Sequence, residues 1–471
     1  YYGIGAVLQS RDGQVVISEL VVGGPAWRSQ QVEKGDVIVK VGQDDGELVN
    51  VEGMPMEDLI KLTRGAKGSS VTIAFRKADG SIQNVRMVRT ALQLDDTFVK
   101  SAIIEDDGKK FGFIHLPKFY TNFGDENGRS CADDIEKELK KLMREKVDGI
   151  ILDIRSNGGG SLGEVINMVG LFVDRGPVVQ VKGRGNDKQV GQVTKRKVYD
   201  GPLAILVNEL SASASEIFAG AMQDYKRGII IGSPSTYGKG TVQRTFPMPG
   251  RNWAEQESDL GTIHITVQKY YRITGNSTQL KGVEPDIKLP GFYEHMEVRE
   301  KHLETAMPWD EISSAGFSVS KVNAERIKLA VQKSLERQEK DTILQRLKYH
   351  LNWISGRNNL YSLDRNKFRD ERNLLKEHTQ KSREYSVLNY KLNIRNTQED
   401  EIRISAAEEF RQENNKSWLR NLEKDRYLGE ALHVVKDMAE LREIEIPESR
   451  PFQPAGRQGE KKVVMKQREA A

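Results

Sequence analysis

The alternation of predicted strands and helices between residues 111 and 290 is the feature that most limits the possible folds. The predicted strands are KFGFIHLP, VDGIILDIR, PLAILVN and GIIIGS, and the predicted helices begin at CADDIEKELKKLMREK, after SNGGG and at SASASE. Such alternation is typical of units in which parallel strands are joined by crossover helices. The sequence therefore predicts an α/β layer with a mainly parallel sheet.

Two regions of different character flank this layer. Residues 1–90 alternate short β-rich runs with turn signals and contain one helical stretch, PMEDLIKLTRG, which predicts a small, mostly-β module. Residues 291–471 are helical by pattern and rich in charge, and the final stretch from PESRPF is expected to be a flexible tail. We therefore predict a multidomain α+β protein with domains at 1–90, 91–290 and 291–471.

Charge and cysteine content exclude several classes of protein. Charged residues make up 30% of the chain but nearly cancel, leaving a net charge of +4, so nothing implies a nucleic-acid partner. The single cysteine, Cys131, excludes an internal disulfide framework and has no Cys or His partner at metal-ligand spacing. We predict neither a metal nor a cofactor, and we expect Cys131 to pack in or near a helix.

The chain has no apolar run that approaches the roughly 18 residues needed to cross a bilayer. The first residues, YYGIGAVLQS, lack the pattern of a signal peptide. The sequence thus predicts a soluble chain without a transmembrane segment. Because it begins at a tyrosine within a predicted strand, we expect a fragment or a processed form from which any export signal is missing.

The motif SASASE, residues 211–216, places three serines before a predicted helix. Ser213 and Glu216 match the S-x-x-E capping box, an ordinary structural use of serine. A serine at a strand-to-helix junction also exposes its hydroxyl beside the amides of the first helical turn, which can stabilise an oxyanion. Ala212 and Ala214 leave room for a substrate. The two interpretations are compatible, because a capping serine can also be a nucleophile.

A nucleophilic serine needs a base, and the histidines offer no obvious one. None of the seven lies on the predicted Ser213 helix or in the loop after it, so a Ser-His-Asp triad has little support and stays an open alternative. Lys239, between Gly238 and Gly240, is the other candidate, although an exposed turn lysine would look the same. As a base it must be uncharged, which desolvation in an apolar site can bring about.

Gln243 is a candidate partner for the Lys239 ammonium. In an extended segment these two side chains share a face but lie about 13 Å apart, so their contact requires a turn or a bend.

The stretch LDIRSNGGG, residues 152–160, ends a predicted strand in three glycines and opens a helix. It matches neither common phosphate-binding motif. Its other use is a backbone amide from Gly159 or Gly160 that pairs with the amide of Ala214 to form an oxyanion hole. Asp153 and Arg155 are expected to anchor the strand end.

Asp224 lies on nearly the same helix face as Ser213, eleven residues later. In a straight helix the two are about 16 Å apart along the axis, too far for contact. We interpret Asp224 as an organiser of the loop or of the sheet edge.

Four motifs in order, LDIRSNGGGSLGE, LVNELSASASEIFAGAMQDY, GSPSTYGKGTVQ and LKGVEPDI, resemble those of the C-terminal processing proteases of peptidase family S41. The resemblance implies a ClpP/crotonase-like α/β core, Ser213 as nucleophile, Lys239 as general base and Gln243 as the residue that orients the lysine. It also implies oxyanion donors at the backbone of Ala214 and of the glycine-rich turn.

The resemblance further implies a supporting role for Asp224, because the family also carries this aspartate. The loop before Lys239 looks about one residue longer than is usual in the family. We expect the insertion to be absorbed upstream of Gly238.

The N-terminal module resembles a PDZ domain of the bacterial, permuted form, on YYGIGAVL, on GGPA at 23–26 and on GDVIVKVG at 35–42. Its glycines free successive amides to form an anion nest, and the strand after them can accept an added peptide strand. The expected peptide-binding residues are Gly3, Ile4, Gly5 and Ala6, with Leu59 on the helix that forms the opposite wall.

Together these features imply a serine endopeptidase that captures partly unfolded proteins by their apolar C-terminal tails and cleaves them with a Ser/Lys dyad. The resemblance also implies a periplasmic or envelope-associated location, with an envelope adaptor as a possible partner. Two alternatives are a catalytically inactive PDZ-containing scaffold and a crotonase-like thioester enzyme. The intact pair Ser213 and Lys239 argues against the first and has no use in the second.

Overall fold

The structure is a computed structural model that describes residues 2–443 except 12, 22, 45, 92–96, 122–127, 186, 249–260, 292, 295 and 358–361. The predicted tail from PESRPF lies outside the described residues. The chain divides into two compact units, one formed by residues 1–97 with 398–420 and the other by residues 98–397 with 421–471.

The first unit is built on an antiparallel sheet. Its elements up to residue 97 are β1 (Tyr2–Gly3), β2 (Ala6–Arg11), β3 (Gln14–Leu20), α1 (Pro25–Arg28), β4 (Val37–Gln43), β5 (Val49–Asn50), α2 (Met56–Thr63), β6 (Ser70–Arg76), β7 (Ile82–Val88) and β8 (Thr90–Ala91). The sheet order is β2-β3-β4-β6-β7, with β5 paired to β4, and β1 pairs with β8. β2 is therefore an edge strand. The predicted mostly-β module is confirmed.

The second unit begins with alternating strands and helices. They are β9 (Lys100–Asp106), β10 (Lys109–His115), α3 (Cys131–Arg144), β11 (Gly149–Asp153), α4 (Leu162–Val169), β12 (Gly176–Lys182), β13 (Lys188–Val193), β14 (Leu203–Val207), α5 (Ala214–Asp224), β15 (Ile229–Gly232), β16 (Thr241–Pro247), β17 (Thr262–Tyr271) and β18 (Ile287–Lys288).

The chain then becomes largely helical. The remaining elements are α6 (Lys321–Lys340), α7 (Thr342–Ser355), α8 (Arg365–Tyr385), β19 (Asn393–Arg395), α9 (Gln398–Ser405), α10 (Glu409–Leu422) and α11 (Arg426–Glu443). This region matches the predicted helical domain except for β19, which pairs with β9. In the described part of the chain, no helix is long and apolar enough to cross a membrane.

The main sheet of the second unit has the order β18-β15-β14-β11-β10-β9-β19. The neighbouring pairs from β10 to β18 are parallel, whereas β9 pairs antiparallel both with β10 and with the edge strand β19. The central strands β11 and β14 are completely buried, as their continuous apolar runs require. The prediction of a mainly parallel sheet is confirmed, and the carboxyl ends of its strands carry the motifs singled out above.

A second, antiparallel sheet of order β13-β12-β17-β16 was not anticipated. Its strands are far apart in sequence, as the pairing of Gln180 with Tyr271 shows. This sheet determines the path of the chain just after Lys239.

Residues 398–420 group with the first unit and not with the rest of the predicted C-terminal domain. The ring of Phe410 lies against Gly23, and its centroid is 6.4 Å from that of Trp27. Arg28 places its guanidinium 5.5 Å from the same ring. In the structure, α9 and most of α10 therefore pack with the first unit, although they lie in the predicted C-terminal domain.

Candidate active site

The three serines of SASAS have different surroundings. Ser211 and Ser215 are completely buried, and their hydroxyls donate to the carbonyl oxygens of Ile154 at 2.8 Å and of Asn157 at 2.7 Å. Ser213 is only partly buried. The outer two serines thus fasten the loop, and the middle one presents its hydroxyl at the surface of the site.

Ser213 occupies an unusual backbone conformation, with φ +56° and ψ −113° at the N-cap of α5. A non-glycine residue with such a dihedral pair is strained by roughly 1–3 kcal/mol, and surrounding contacts must enforce the conformation. Backbone strain of this kind is concentrated at functional sites. One half of the predicted capping box forms, because the Ser213 amide donates to the Glu216 carboxylate at 2.8 Å, while the Glu216 amide donates to the Ser213 backbone carbonyl at 2.9 Å.

The carboxylate of Glu216 is completely buried and receives four hydrogen bonds. The Ser213 amide donates to Oε2 at 2.8 Å and the Lys239 amide donates to the same oxygen at 3.0 Å. The Gly238 amide and the Thr236 hydroxyl each donate to Oε1 at 2.7 Å. Glu216 therefore joins the backbone of the candidate nucleophile to that of the candidate base, a role that its place in a capping box did not reveal.

Burial raises the pKa of Glu216 to about 7, while the four donors act in the opposite direction. Its ring of amide and hydroxyl donors is the environment that a carboxylate needs in order to remain charged without a cation.

The glycine-rich turn lies directly against the serine loop. Gly159 has φ +100°, and a Cβ placed on it would approach the Ser213 Cβ at 2.8 Å and the Ala214 nitrogen at 3.0 Å. The Ala212 amide donates to the Asn157 carbonyl at 3.0 Å, which holds the two segments together. The structure thus brings together the predicted oxyanion elements.

The amide of Gly159 itself is already occupied, because it donates to the Asn157 side chain at 2.9 Å. The prediction left Gly159 and Gly160 as alternatives. Within the described residues, the amides of Gly160 and Ala214 have no hydrogen-bond acceptor. This favours the Gly160 and Ala214 amides over that of Gly159 as oxyanion donors.

Lys239 is half-buried, and its Nζ donates to Oε1 of Gln243 at 3.2 Å. The bend that this contact requires is present as a β-bulge between Val242 and Gln243. The side chains of Ser213 and Lys239, both within the described residues, form no hydrogen bond with each other. The structure joins these residues through their backbones and leaves the lysine side chain on its glutamine partner.

Tyr270 is a member of this site that the sequence analysis missed. Its side chain is 2% exposed, and its hydroxyl donates to the Lys239 carbonyl. Nothing in its local sequence separates it from an ordinary core tyrosine of a strand.

The loop expected to be one residue too long is held upstream of Gly238. The Ser235 hydroxyl donates to the Lys281 carbonyl, and the Thr236 hydroxyl both donates to Glu216 and accepts from the Val283 amide at 2.7 Å. Lys239 therefore keeps its backbone contact with the serine helix.

Asp224 lies at the far end of α5 and pairs with Arg272, which donates through Nε at 3.1 Å and also through Nη2. Burial raises the pKa of Asp224, and the arginine opposes this effect. The pair ties the end of α5 to the chain just after β17. This position fits the organising role that the sequence suggested.

In the first unit, the expected peptide-binding loop precedes the edge strand β2. Gly5 has φ +74°, and the carbonyls of Ile4 and Gly5 accept from Ala26 at 2.8 Å and Val21 at 2.9 Å. These bonds turn the chain so that one side of β2, which begins at Ala6, has no strand partner in the described part of the unit.

The helix α2 lies in the same unit. Leu59 is completely buried in the core, so it does not form an exposed part of the groove wall as predicted. The helical spacing that suggested a wall residue reports core packing at this position, and Met56 and Leu62 are only partly buried. The remaining predicted residue, Gly3, is buried in β1.

Comparison with known proteins assigns three regions of the chain to families. Residues 2–75 match the PDZ domain, residues 110–289 match peptidase family S41, and residues 293–440 match the C-terminal domain of tail specific protease.

Individual relatives agree with these assignments. The chain is 40% identical over 317 residues to the tail-specific protease of Haemophilus influenzae, covering 67% of this chain and 44% of that protein. It is 30% identical over 295 residues to the carboxy-terminal processing protease CtpA of Bacillus subtilis, covering 62% and 57%. The chain thus spans about half the length of the curated relatives it matches.

Among solved structures, the chain is similar to the PDZ domain of the carboxy-terminal protease from Vibrio cholerae in complex with peptide. The identity is 40%, the match covers 20% of this chain and 97% of that one, and the TM-score is 0.19. On its family matches, the chain carries a peptidase family S41 domain at residues 110–289, with a PDZ domain before it and the C-terminal domain of the tail-specific proteases after it.

Proposed function

We propose that the protein is a serine endopeptidase that captures protein substrates by their apolar C-terminal tails and cleaves them with Ser213 and Lys239. The observation that carries the proposal is the buried Glu216 carboxylate, which accepts from the amides of both residues. An inert scaffold has no need for a strained serine and a lysine tied to one carboxylate.

In the proposed reaction, uncharged Lys239 accepts the Ser213 proton as the hydroxyl oxygen attacks the scissile carbonyl. The developing oxyanion receives hydrogen bonds from the Ala214 amide and from an amide of the glycine-rich turn. The lysine then returns the proton to the leaving amine, and water hydrolyses the acyl-enzyme. Gln243 orients Lys239. To reach Ser213, the Lys239 side chain must rotate about its flexible stem and leave Gln243.

Capture is assigned to the PDZ domain. A substrate tail would add to the free edge of β2, and its terminal carboxylate would lie at the amides of the Ile4–Ala6 loop. Tethering raises the local concentration of the chain at the peptidase domain. We further propose a periplasmic or envelope-associated location, which the family resemblance supports.

The catalytic proposal is tested with an unfolded protein that carries an apolar tail. Ser213→Ala and Lys239→Ala should each abolish cleavage while the melting temperature changes little, and Ser213→Ala should also abolish labelling by a fluorophosphonate probe. Lys140→Ala serves as the matched control, because this lysine is exposed on α3. Turnover by either site variant at the control rate would refute the dyad.

The capture proposal is tested by binding of one peptide in two forms, with a free and with an amidated C-terminus. The free acid should bind more tightly, because only it offers a carboxylate to the loop amides. Equal affinity of the two forms would count against the carboxylate-binding assignment.

A further inference from the structure

We propose that Asp425, in the C-terminal helical region, is a positioning residue for the active site, acting through Arg155 on the glycine-rich turn. This inference rests on the proposed peptidase function. It gives the C-terminal region a part in catalysis that its helical, charged sequence did not suggest.

Arg155 lies between two carboxylates just after β11. Its guanidinium donates to Asp153 through Nε at 2.9 Å and through Nη2 at 2.6 Å. It also donates to Asp425 through Nη1 at 3.3 Å and through Nη2 at 2.7 Å. The side chain of Arg155 is 19% exposed, so this is a partly buried pair of bidentate contacts and not a loose surface ion pair.

Asp425 is itself held in place by the helix that it begins. Its Oδ1 accepts from the amides of Tyr427 at 2.9 Å and Leu428 at 3.0 Å, which caps α11. α11 in turn packs on the main sheet, where the Val435 side chain fills the space beside Gly149. The position of Arg155, just before the turn, therefore depends on where α11 holds the Asp425 carboxylate.

The path from Arg155 to the serine is short and made of hydrogen bonds. The next residue, Ser156, has φ +58° and donates its amide to the Asn208 side chain at 2.8 Å. Asn157 then accepts from the Ala212 amide at 3.0 Å and from the Ser215 hydroxyl at 2.7 Å. With two further residues the chain reaches Gly159, which lies against Ser213.

Two carboxylates stabilise the charged guanidinium of Arg155 in its partly buried position. Burial opposes the charge, and the two carboxylates overcome this and raise the pKa of Arg155. With Asp425 neutral, the guanidinium keeps one charged partner and loses the one that is anchored outside the turn. The turn is then free to shift, and displacements of this kind near reacting groups reduce rates strongly.

The experiment compares Asp425→Asn with Asp364→Asn. Asparagine caps helices as well as aspartate does, so Asp425→Asn removes the charge but keeps the cap. Asp364 is the matched control, because its Oδ1 caps α8 by accepting from Asn366 and Lys367, each at 2.9 Å. Asp425→Glu is the conservative variant that restores the charge.

We expect Asp425→Asn to slow fluorophosphonate labelling of Ser213 and to lower kcat by about tenfold, with KM changed less than twofold. Asp364→Asn should behave as wild type, and Asp425→Glu should recover part of the rate. The proposal would be overturned if Asp425→Asn were labelled at the control rate or if its KM changed by as large a factor as its kcat. It would also be overturned if Asp425→Glu recovered none of the rate.

A failure of the proposed function is recognised separately, by the absence of Ser213-dependent labelling in wild type. In that case amide hydrogen exchange decides the positioning role alone. Exchange in residues 156–160 should be faster in Asp425→Asn than in Asp364→Asn, and equal exchange would contradict a link between Asp425 and the turn.

Discussion

The Lys239 amide donates to the Glu216 carboxylate at 3.0 Å, which fixes the start of the lysine segment to the helix behind Ser213. In Glu216→Gln the side-chain NH2 group cannot accept a hydrogen bond, so amides on one side of the carboxylate lose their acceptor. We expect labelling of Ser213 by a fluorophosphonate probe to slow by about ten- to hundredfold.

The matched control for this change is Glu164→Gln. Ser161 and Glu164 begin α4 with the same S-x-x-E spacing, and Glu164 is also buried, but it contacts the start of α3 instead of the lysine segment. Equal labelling rates for the two variants would show that Glu216 does no more than cap its helix.

The stability of the protein should depend on pH through Glu216. An exposed glutamate titrates near 4.5, whereas burial raises the pKa of Glu216 to about 7. Between these values the folded state binds more protons than the unfolded state, so the stabilising contribution is complete below pH 4.5 and is lost as pH rises through about 7. The free energy of unfolding should fall by about 3 kcal/mol over this range, at 1.36 kcal/mol per pH unit.

Urea unfolding of wild type and Glu216→Gln between pH 4.5 and 8 measures this contribution of Glu216 to the free energy of unfolding. The variant should show a flatter dependence on pH than wild type. Parallel curves for wild type and Glu216→Gln would assign the pH dependence to other groups.

The glycine-rich turn offers a pair of adjacent substitutions with opposite expectations. In Gly159→Ala the new methyl group would meet Ser213 and Ala212 at 2.8 Å, and φ is +100°, so the serine loop must move. Gly158→Ala meets no atom within 4 Å. We expect Gly159→Ala to abolish labelling of Ser213 and to lower the melting temperature, and Gly158→Ala to do neither. Comparable activity of the two variants would refute the close contact.

The pair of Asp224 and Arg272 should contribute to stability. Both side chains are largely buried, at 5% and 18% exposure, and breaking such a pair leaves a buried charge without its partner. Asp224→Asn should lower the free energy of unfolding by about 3 kcal/mol. Asp174→Asn removes an exposed partner of Lys197 and should cost less than about 1 kcal/mol. Denaturant unfolding measures both, and a similar loss for the two variants would contradict an organising role for Asp224.

The sequence predicted the main sheet and its helices well, because each element shows its own short-range pattern. It did not predict the second sheet, since strands such as β12 and β17 pair over about ninety residues and their register depends on packing. The sequence showed only that a Lys239–Gln243 contact would require a bend. It did not predict the β-bulge itself, because a β-bulge has no strong local sequence signal.

The sequence predicted which residues form the candidate site. It did not predict that Glu216 connects Ser213 and Lys239 through their backbone amides. The motif around Glu216 has a complete local explanation as a helix cap, which hid its bonds to residues twenty or more positions later. Leu59 shows the reverse error, because an apolar residue at helical spacing looks the same whether it faces a ligand or the core.

The grouping of residues 398–420 with residues 1–97 means that the polypeptide passes between the two units three times, near 97, 397 and 420. A fragment that stops at residue 97 leaves Trp27 without Phe410, and a deletion of 398–420 removes part of the first unit although it lies in the C-terminal third of the chain. Shortened versions of this protein should therefore be designed from the three-dimensional grouping of residues and not from their linear order.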